Sequence, residues 1–296
     1  MRNTPRERVQ SVERALTLLR VLAREGPSSL AALHQATGLS KTVVFRLLRT
    51  LEASGFVEQD GDNRRYQIGI GAFEVGQAYP AAGPLIQLGL PILDALVEGS
   101  PHTAYIGVRD GFEVVYLATV YNRGPLRVHT PPGTRIPAHS TAFGKVLLAG
   151  LPEAEVVALA TQFGLPALTP TTITDSDLLI NHLRKVRKDG YANNNEEAHP
   201  GIGAIGAVIR DGRGMPVAAL SLAYATSLMP PAEKPAWIKR TVRAAADISA
   251  RLERTVIDPA QALAGAIAVP VADRTPTPRK AASATSPASI RRRHVE

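Results

Sequence analysis

The chain has 296 residues, of which 45% are apolar, and it carries a net charge of +8 and no cysteine. This length can hold two domains with ordinary globular cores, while the lack of cysteine excludes disulfides, iron–sulfur clusters, thiolate zinc sites and cysteine nucleophiles. Residues 1–8 are polar, and the apolar stretch 84–97 is short and interrupted by Pro91, so we expect no signal peptide, no membrane contact and a cytoplasmic location.

The first predicted element is an amphipathic helix near the N-terminus. Its apolar residues recur at helical spacing, and they are Val12, Ala15, Leu16, Leu19, Leu22 and Ala23. We expect this stripe to close a three-helix core with the two helices that follow.

A helix-turn-helix is predicted next. The pair Ser28-Ser29 offers an N-cap for a short helix, Thr37-Gly38-Leu39 breaks that helix, and Ser40 caps a second one. One face of the second helix is apolar, with Val44, Leu47, Leu48 and Leu51. The opposite face is free to meet a polyanion, with Lys41, Thr42, Phe45, Arg46 and Arg49.

Two alternating strands follow at residues 56–58 and 65–68, joined by a turn at 60–63. This hairpin reads as a wing, with Arg64 and Arg65 near its tip. The order of cap, break, cap and basic hairpin is typical of a winged helix-turn-helix that binds double-stranded DNA, and less so of a small helical domain with a solvated charged face.

The two kinds of DNA contact are assigned to different residues. We expect the major groove or its rim to receive Ser40, Lys41, Thr42, Phe45 and Arg46. We expect the phosphates to be bound by Arg49, Arg64 and Arg65. Residues 1–79 and 257–296 hold most of the surplus positive charge, so DNA affinity must come from placement of side chains rather than from bulk charge.

A second domain begins beyond Tyr79-Pro80. A helix over 80–98 presents Leu85, Leu88, Ile92, Leu93 and Leu96, and strands at 103–108 and 113–119 flank the turn Arg109-Asp110-Gly111. Residues 126–129 are expected to continue the sheet. Strands at 204–210 and 217–223 bracket a turn at 211–214, and helices are predicted at 140–149, 175–188 and 235–256. In the helix at 175–188, the side chains expected to face inward are Leu178, Leu179, Leu183 and Val186.

This mixture predicts an α+β protein with an antiparallel sheet flanked by helices. The predicted division is a winged helix-turn-helix at 9–79, a linker helix at 80–98, an effector-binding domain at 99–256 and a disordered basic tail at 257–296. The tail ends in Arg291-Arg292-Arg293; it is either a dispensable extension or a source of non-specific DNA attraction.

Several signals resemble enzyme motifs, but their context is wrong. Residues 201–206 fit G-x-G-x-x-G, yet they follow a polar segment and run into a strand instead of opening a helix. Gly144-Lys145 lacks the rest of a P-loop, and no nucleophile elbow surrounds His139-Ser140. The other histidines lack metal-ligand spacing, namely His102, His129, His182 and His199. We therefore expect no catalytic residue, no metal and no cofactor.

Four segments of the chain resemble the IclR family of bacterial transcriptional regulators. They are residues 11–16, the helix at 39–48, residues 137–149 and the run from Gly190-Tyr191-Ala192 to Glu196-Glu197. The resemblance spans residues 9–256. It implies a GAF-like effector-binding domain behind the DNA-binding head, a homodimer or homotetramer, and palindromic operators near catabolic genes.

The resemblance also implies a pocket for a small organic acid. Carried over to this sequence, its residues are Ser140, Thr141, Ala142, Phe143, Asn194, Ala204, Ser221 and Ala223. Backbone N–H groups at a helix start near 140–143 would attract a carboxylate, and Ser221 would add a hydroxyl. Ser140 is equally consistent with a plain helix cap.

Two positions depart from the family pattern. Many relatives carry Asp where this chain has Asn194, and Cys where it has Ala204. A pocket without that carboxylate and thiol is less polar and suits a larger or more apolar effector, such as an aromatic acid. Effector binding would shift the spacing of two recognition helices in a dimer through the 80–98 helix. Two alternatives stay open: an enzyme that acts on a carboxylic acid and carries a DNA-binding head, and a binding module that uses DNA as a platform for another protein.

Overall fold

The computed structural model describes residues 9–79, 82–121 and 128–254. The N-terminal part consists of α1 (Gln10–Glu25), α2 (Leu30–Thr37), α3 (Lys41–Ala53), β1 (Val57–Gln59), β2 (Tyr66–Ile68) and α4 (Ile70–Gln77). The predicted tail at 257–296 lies outside the described residues, as do Leu126 and Arg127. In the described part of the chain, no helix has both the length and the apolar character needed to cross a bilayer.

The helix-turn-helix forms as predicted, and its caps are the expected residues. The hydroxyl of Ser29 accepts the N–H of Ala32, and that of Ser40 accepts the N–H of Val43. Gly38 ends α2 with φ of 68°, a left-handed conformation that glycine adopts without steric cost. The two helices bury Leu33, Val44 and Leu48 completely.

The predicted core face of α1 is partly wrong, although Leu22 is buried and Leu19 packs against the core as expected. The helix buries Leu18, Val21 and Leu22, whereas Val12, Leu16 and Ala23 are exposed. The apolar positions of α1 form two neighbouring stripes, and only the stripe that faces α2 and α3 enters the core. Periodicity alone does not reveal which of two adjacent stripes is covered.

The wing is an antiparallel pair of β1 and β2, in which Glu58 lies opposite Gln67. Its turn is held by Asp60, whose carboxylate accepts the N–H of Asp62 at 2.9 Å and the side-chain amide of Asn63 at 2.7 Å. Tyr66 is also bridged to Ser28 on the other side, through a pair of backbone hydrogen bonds. The wing is therefore attached to the start of the helix-turn-helix.

The C-terminal part is built on one six-stranded antiparallel sheet of order β5-β4-β3-β8-β7-β6. Its strands are β3 (Thr103–Asp110), β4 (Glu113–Val120), β5 (Arg135–Pro137), β6 (Tyr191–Asn195), β7 (Ile202–Arg210) and β8 (Pro216–Ala225). Its helices are α5 (Ala82–Val97), α6 (Ala142–Leu148), α7 (Glu153–Phe163), α8 (Ser176–Asp189) and α9 (Lys234–Arg254). This agrees with the predicted α+β class.

Helices cover both faces of this sheet. On one face α5 and α9 pack through Leu93 and Ile248 against alternate strand residues such as Ile106. On the other face α6, α7 and α8 enclose a second core that contains Phe143 and Leu179. Because side chains alternate along a strand, each central strand contributes to both cores. The predicted linker helix α5 is thus also a packed layer of the sheet.

Three predictions for this part are corrected. Val128 and His129 are not in a strand; the strand that pairs with β4 at this edge of the sheet is β5, where Ile136 lies opposite Val114. Leu178 is 63% exposed, and α8 buries Ile180 beside Leu179 instead. The helix predicted from residue 140 begins at Ala142, because residues 138–140 first make a 3₁₀ turn.

Candidate DNA-binding surface and effector cavity

The exposed face of α3 presents the side chains predicted to read DNA. Five are exposed: Ser40, Lys41, Thr42, Phe45 and Arg46. The N-cap bond of Ser40 fixes the first turn of α3, and the buried Val44 and Leu48 hold the opposite face against the core. The arrangement leaves one helix face available to a groove of duplex DNA.

The three predicted phosphate ligands are also exposed, but they differ in their contacts. Arg49 forms an ion pair with Glu52 at 3.4 Å, one turn along the same helix. Arg65 donates to the carbonyl of Pro27 at 3.3 Å. Arg64 adopts φ of 53°, an unusual conformation for a non-glycine residue, where the turn of the wing enters β2.

An open apolar groove of about 830 Å³ runs between α1 and α3. Its walls include Val12 and Leu16 of α1 and Phe45 of α3, which is 49% exposed. Sequence reasoning missed this groove because it placed the α1 stripe in the core. Phe45 therefore borders an apolar surface as well as the polar face predicted for DNA.

In the C-terminal part, a small cavity of about 30 Å³ lies between α6 and the sheet. It brings together seven of the eight predicted effector residues: Thr141, Ala142, Phe143, Asn194, Ala204, Ser221 and Ala223. Three of them form one row across the strands, since Asn194 lies opposite Ala204 and Ala204 opposite Ala223. The two alanines in this row leave space at the floor of the cavity.

Ser140 is the predicted residue that does not line this cavity. Its side chain is buried, and its hydroxyl donates to the carbonyl of Pro137 at 2.9 Å. The N-cap of α6 is Thr141, whose hydroxyl oxygen accepts the N–H of Gly144 at 3.1 Å. The predicted cap was therefore one residue early, because the 3₁₀ turn places Thr141, not Ser140, in the extended conformation before the helix.

An aromatic wall was not predicted from the sequence. Tyr105 and Tyr116 stand perpendicular at 5.1 Å between ring centres, and Tyr116 meets Phe143 in the same way at 4.9 Å. Burial raises the pKa of both tyrosine hydroxyls, so they stay neutral. The alternation of side chains along β3 and β4 could have revealed this wall, because it puts both tyrosines on one face of the sheet.

The remaining polar lining consists of a hydroxyl and an imidazole. Thr130 is buried, and His199 is exposed at the cavity rim. Within the described part of the chain, the lining residues include no Asp, Glu, Lys or Arg. The sequence indicated only that His199 lacks metal-ligand spacing, and it offered no signal that this side chain would border the cavity.

Asn194 uses both ends of its amide within the protein. Its NH₂ donates to the carbonyl of Ser140 at 2.7 Å, and its oxygen accepts the N–H of Glu197 at 2.8 Å. An aspartate at this position would have no proton for the Ser140 carbonyl. The departure from the family pattern thus has a structural consequence: it joins β6 to the segment before α6.

Two tight contacts bring α6 close to the sheet. A Cβ atom on Gly206 of β7 would lie 2.5 Å from the carbonyl carbon of Ala142, and one on Gly107 of β3 would overlap the Phe143 ring. Gly206 belongs to the G-x-G-x-x-G run, which enters β7 as predicted, although the strand begins at Ile202, two residues before the predicted start. These glycines therefore serve close packing at the cavity.

Comparisons with known proteins cover both parts of the chain. A family model for the C-terminal part of IclR bacterial transcriptional regulators matches residues 77–250, and one for the IclR helix-turn-helix domain matches residues 11–61. The HTH-type transcriptional repressor AllR of Salmonella typhi is 34% identical over 220 residues, which cover 74% of this chain and 81% of AllR.

Solved structures show the same fold. An IclR transcriptional regulator from Alicyclobacillus acidocaldarius has a TM-score of 0.72 at 28% identity, with 82% of this chain and 99% of that chain covered. An IclR homolog from Microbacterium hydrocarbonoxydans, complexed with 4-hydroxybenzoate, has a TM-score of 0.73 at 19% identity, with 83% and 100% covered. At that identity the second likeness concerns the fold alone.

Proposed function

Because the chain belongs to the IclR family of bacterial transcriptional regulators, it is a DNA-binding regulator and not an enzyme, and we propose that it represses its targets until a small organic acid enters the C-terminal cavity. The name of the AllR relative supports repression. Its duplex DNA operator and its acid effector would both be met in the cytoplasm.

The observation that carries this proposal is the convergence of residues from four elements on one cavity. Thr141 and Phe143 come from α6 and its cap, Asn194 from β6, Ala204 from β7 and Ser221 from β8. Residues so distant in sequence meet around a space that packing would otherwise fill. A concave site with few polar groups is the usual form of a small-molecule site.

We propose an aromatic carboxylic acid as the effector class. The ring wall of Tyr105, Tyr116 and Phe143 offers apolar and edge contacts to an aromatic ring, while Ser221 and His199 offer polar contacts to its substituents. The Microbacterium homolog, which shares the fold at 19% identity, is complexed with 4-hydroxybenzoate, so this compound is the first acid to test. Helix α6 spans only seven residues and Thr141 already accepts the N–H of Gly144, so the proposal rests on the side chains of the wall.

The size of the cavity supports a switch. At about 30 Å³ it has room for roughly one water molecule, whereas ligand sites commonly measure about 300–1,000 Å³. An acid must therefore select a wider state, in which the wall formed by α6 and residues 194–197 stands further from β3 and β4. A ligand that binds one of two states shifts their populations, and this difference is the source of the proposed control.

The route to DNA in this proposal runs through β3, β4 and α5. Helix α5 packs on the sheet face opposite the cavity, and it leads back along the chain to the DNA-binding head. In a homodimer or homotetramer on a palindromic operator, two recognition helices must match half-sites about one helical turn apart. A small rotation of one head then releases DNA, and a coupling of about 1–3 kcal/mol suffices.

The test is footprinting of the purified full chain on the promoter region beside its own gene. The probes are 4-hydroxybenzoate, benzoate and a series of short-chain carboxylic acids. Protection of a palindrome that an aromatic acid abolishes or shifts supports the whole proposal. Protection that responds only to short-chain acids, or to none, removes the aromatic class and leaves the DNA regulator. Failure of the chain alone to protect specific DNA would favour a platform for another protein.

Substitution of two arginines tests whether α3 contacts bases while the wing contacts phosphates. Arg46→Ala should cost about 1–3 kcal/mol of operator binding and relax specificity at one position, because it removes a base contact. Arg64→Ala should weaken all DNA sequences alike and lower the slope of log affinity against log salt by about 1. Fluorescence anisotropy on operator and scrambled DNA measures both, with the C-terminal Arg184→Ala as control. Equal salt slopes for Arg46→Ala and Arg64→Ala would contradict the assignment.

A further inference from the structure

A buried ion pair stands behind the cavity wall without lining it. The side chain of Lys145 in α6 is 0% exposed, and that of Glu197, just after β6, is 7% exposed. The ammonium of Lys145 contacts both carboxylate oxygens of Glu197, one of them at 2.6 Å, and donates to the carbonyl of Asn193 at 3.4 Å. Because an unpaired buried charge is strongly unfavourable, each residue fixes the position of the other.

This pair belongs to a closed ring of contacts between two cavity walls. The N–H of Glu197 donates to the side-chain oxygen of Asn194, and the Asn194 amide donates to the carbonyl of Ser140. Ser140 and Lys145 lie on the same short segment. The ring therefore joins the start of α6 at two points to residues 194–197, which we call the 194–197 turn. A third bond comes from Thr172, whose hydroxyl donates to the carbonyl of Glu197 at 2.7 Å.

The surroundings indicate that the ion pair fixes the positions of its two residues rather than adding stability to the core. An apolar pair of the same volume commonly stabilises a core as well as a buried ion pair does, or better, and the α6 side chains around Lys145 are apolar and buried. An ion pair differs from such a contact in fixing distance and direction. Burial and the charge of Lys145 also lower the pKa of the two nearby imidazoles, His139 and His182, so neither adds a second positive charge beside the ammonium.

We propose that Lys145 and Glu197 are positioning residues, whose ion pair holds the start of α6 and the 194–197 turn at the separation that gives the cavity its affinity for an effector. Neither residue touches the effector. The positioning itself is independent of what binds, and only its effect on affinity rests on the function proposed above.

The experiment compares full-length wild type with the double variant Lys145→Met/Glu197→Met. Methionine keeps a long unbranched side chain, and replacing both residues leaves no unpaired charge. The matched control is Arg184→Met/Glu153→Met, which removes an exposed pair at 2.7 Å between α7 and α8. Each protein is measured by hydrogen–deuterium exchange along the chain, by calorimetry with 4-hydroxybenzoate and by operator binding.

The positioning role predicts a local effect. In the double Met variant, exchange over residues 190–203 should accelerate about tenfold and 4-hydroxybenzoate should bind about tenfold more weakly, while the rest of the chain and operator affinity stay unchanged. The control should match wild type in all three measurements. Glu197→Gln, which keeps the shape of the side chain, is measured in the same way should the double variant not fold, and a smaller acceleration in the same segment is expected.

Two results would overturn the proposal. Unchanged exchange over residues 190–203 would show that the pair does not hold the turn, and acceleration spread evenly over the chain would make it a stability contact. If wild type binds neither 4-hydroxybenzoate nor any other acid tested, the proposed effector class fails, and the exchange measurement alone decides whether the pair positions the wall.

Discussion

At the scale of single residues, His182 shows how burial next to a lysine sets the charge of a side chain. Its Nε2 atom is buried and has no hydrogen-bond partner among the residues that the structure describes. Burial, followed by the charges of Lys145 and Lys185, lowers the pKa of His182 to about 4. The imidazole is therefore neutral in the folded protein over the physiological range.

This shift predicts a dependence of stability on pH. The unfolded chain protonates His182 near its ordinary pKa of about 6.5, whereas the folded chain does so only near 4, so folding stability is complete above 6.5 and falls as pH falls toward 4. Between pH 7.5 and 5.0, wild type should lose about 1 kcal/mol more of its unfolding free energy than His182→Gln, because solvent screening at this partly buried imidazole reduces the full linkage value. Urea unfolding at both pH values measures this difference, and equal losses in the two proteins would contradict it.

At the scale of elements, α6 shows how a short helix depends on the strand beneath it. A Cβ atom on Gly206 would stand 2.5–2.7 Å from backbone atoms of Ala142 and Phe143. Backbone atoms cannot rotate away as a side chain does. Helix α6 can lie where it does only because β7 carries a glycine at this position.

We therefore expect Gly206→Ala to displace α6 and to cost about 3 kcal/mol of unfolding free energy, near the upper range for overpacking. Thermal and urea unfolding measure the loss. Gly212→Ala is the matched control, because its Cβ would meet Glu253 at an ordinary 3.6 Å, and its stability should stay within about 0.5 kcal/mol of wild type. A Gly206→Ala protein as stable as this control would show that the helix is free to shift.

At the scale of the whole molecule, the proposed switch obeys a reciprocity that can be measured. If an acid weakens operator binding by some factor, operator DNA must weaken acid binding by the same factor. With 4-hydroxybenzoate as the acid, we expect a factor of about 5–150 in both directions. Calorimetry with and without operator duplex gives one side of the cycle, and anisotropy with and without the acid gives the other. Unequal factors would mean that the two ligands do not act on one shared equilibrium.

Local signals in the sequence determined the helix-turn-helix, its wing and most of the strands. Caps at Ser29 and Ser40, the glycine break at Gly38 and the spacing of Val44 and Leu48 act within one or two turns of chain, so they can be read without knowing what packs where. The resemblance to the IclR family predicted seven residues that line the cavity, because it carries over positions that lie far apart in the sequence.

The tertiary structure alone decided which faces are covered and which distant groups meet. It turned Leu18 rather than Leu16 of α1 into the core, made Thr141 rather than Ser140 the cap of α6, and paired Lys145 with Glu197 across 52 positions of sequence. Periodicity gives the spacing of a stripe but not the partner that covers it. Burial of a charge or an aromatic wall depends on every element that packs around it, and this information exists only once the chain has folded.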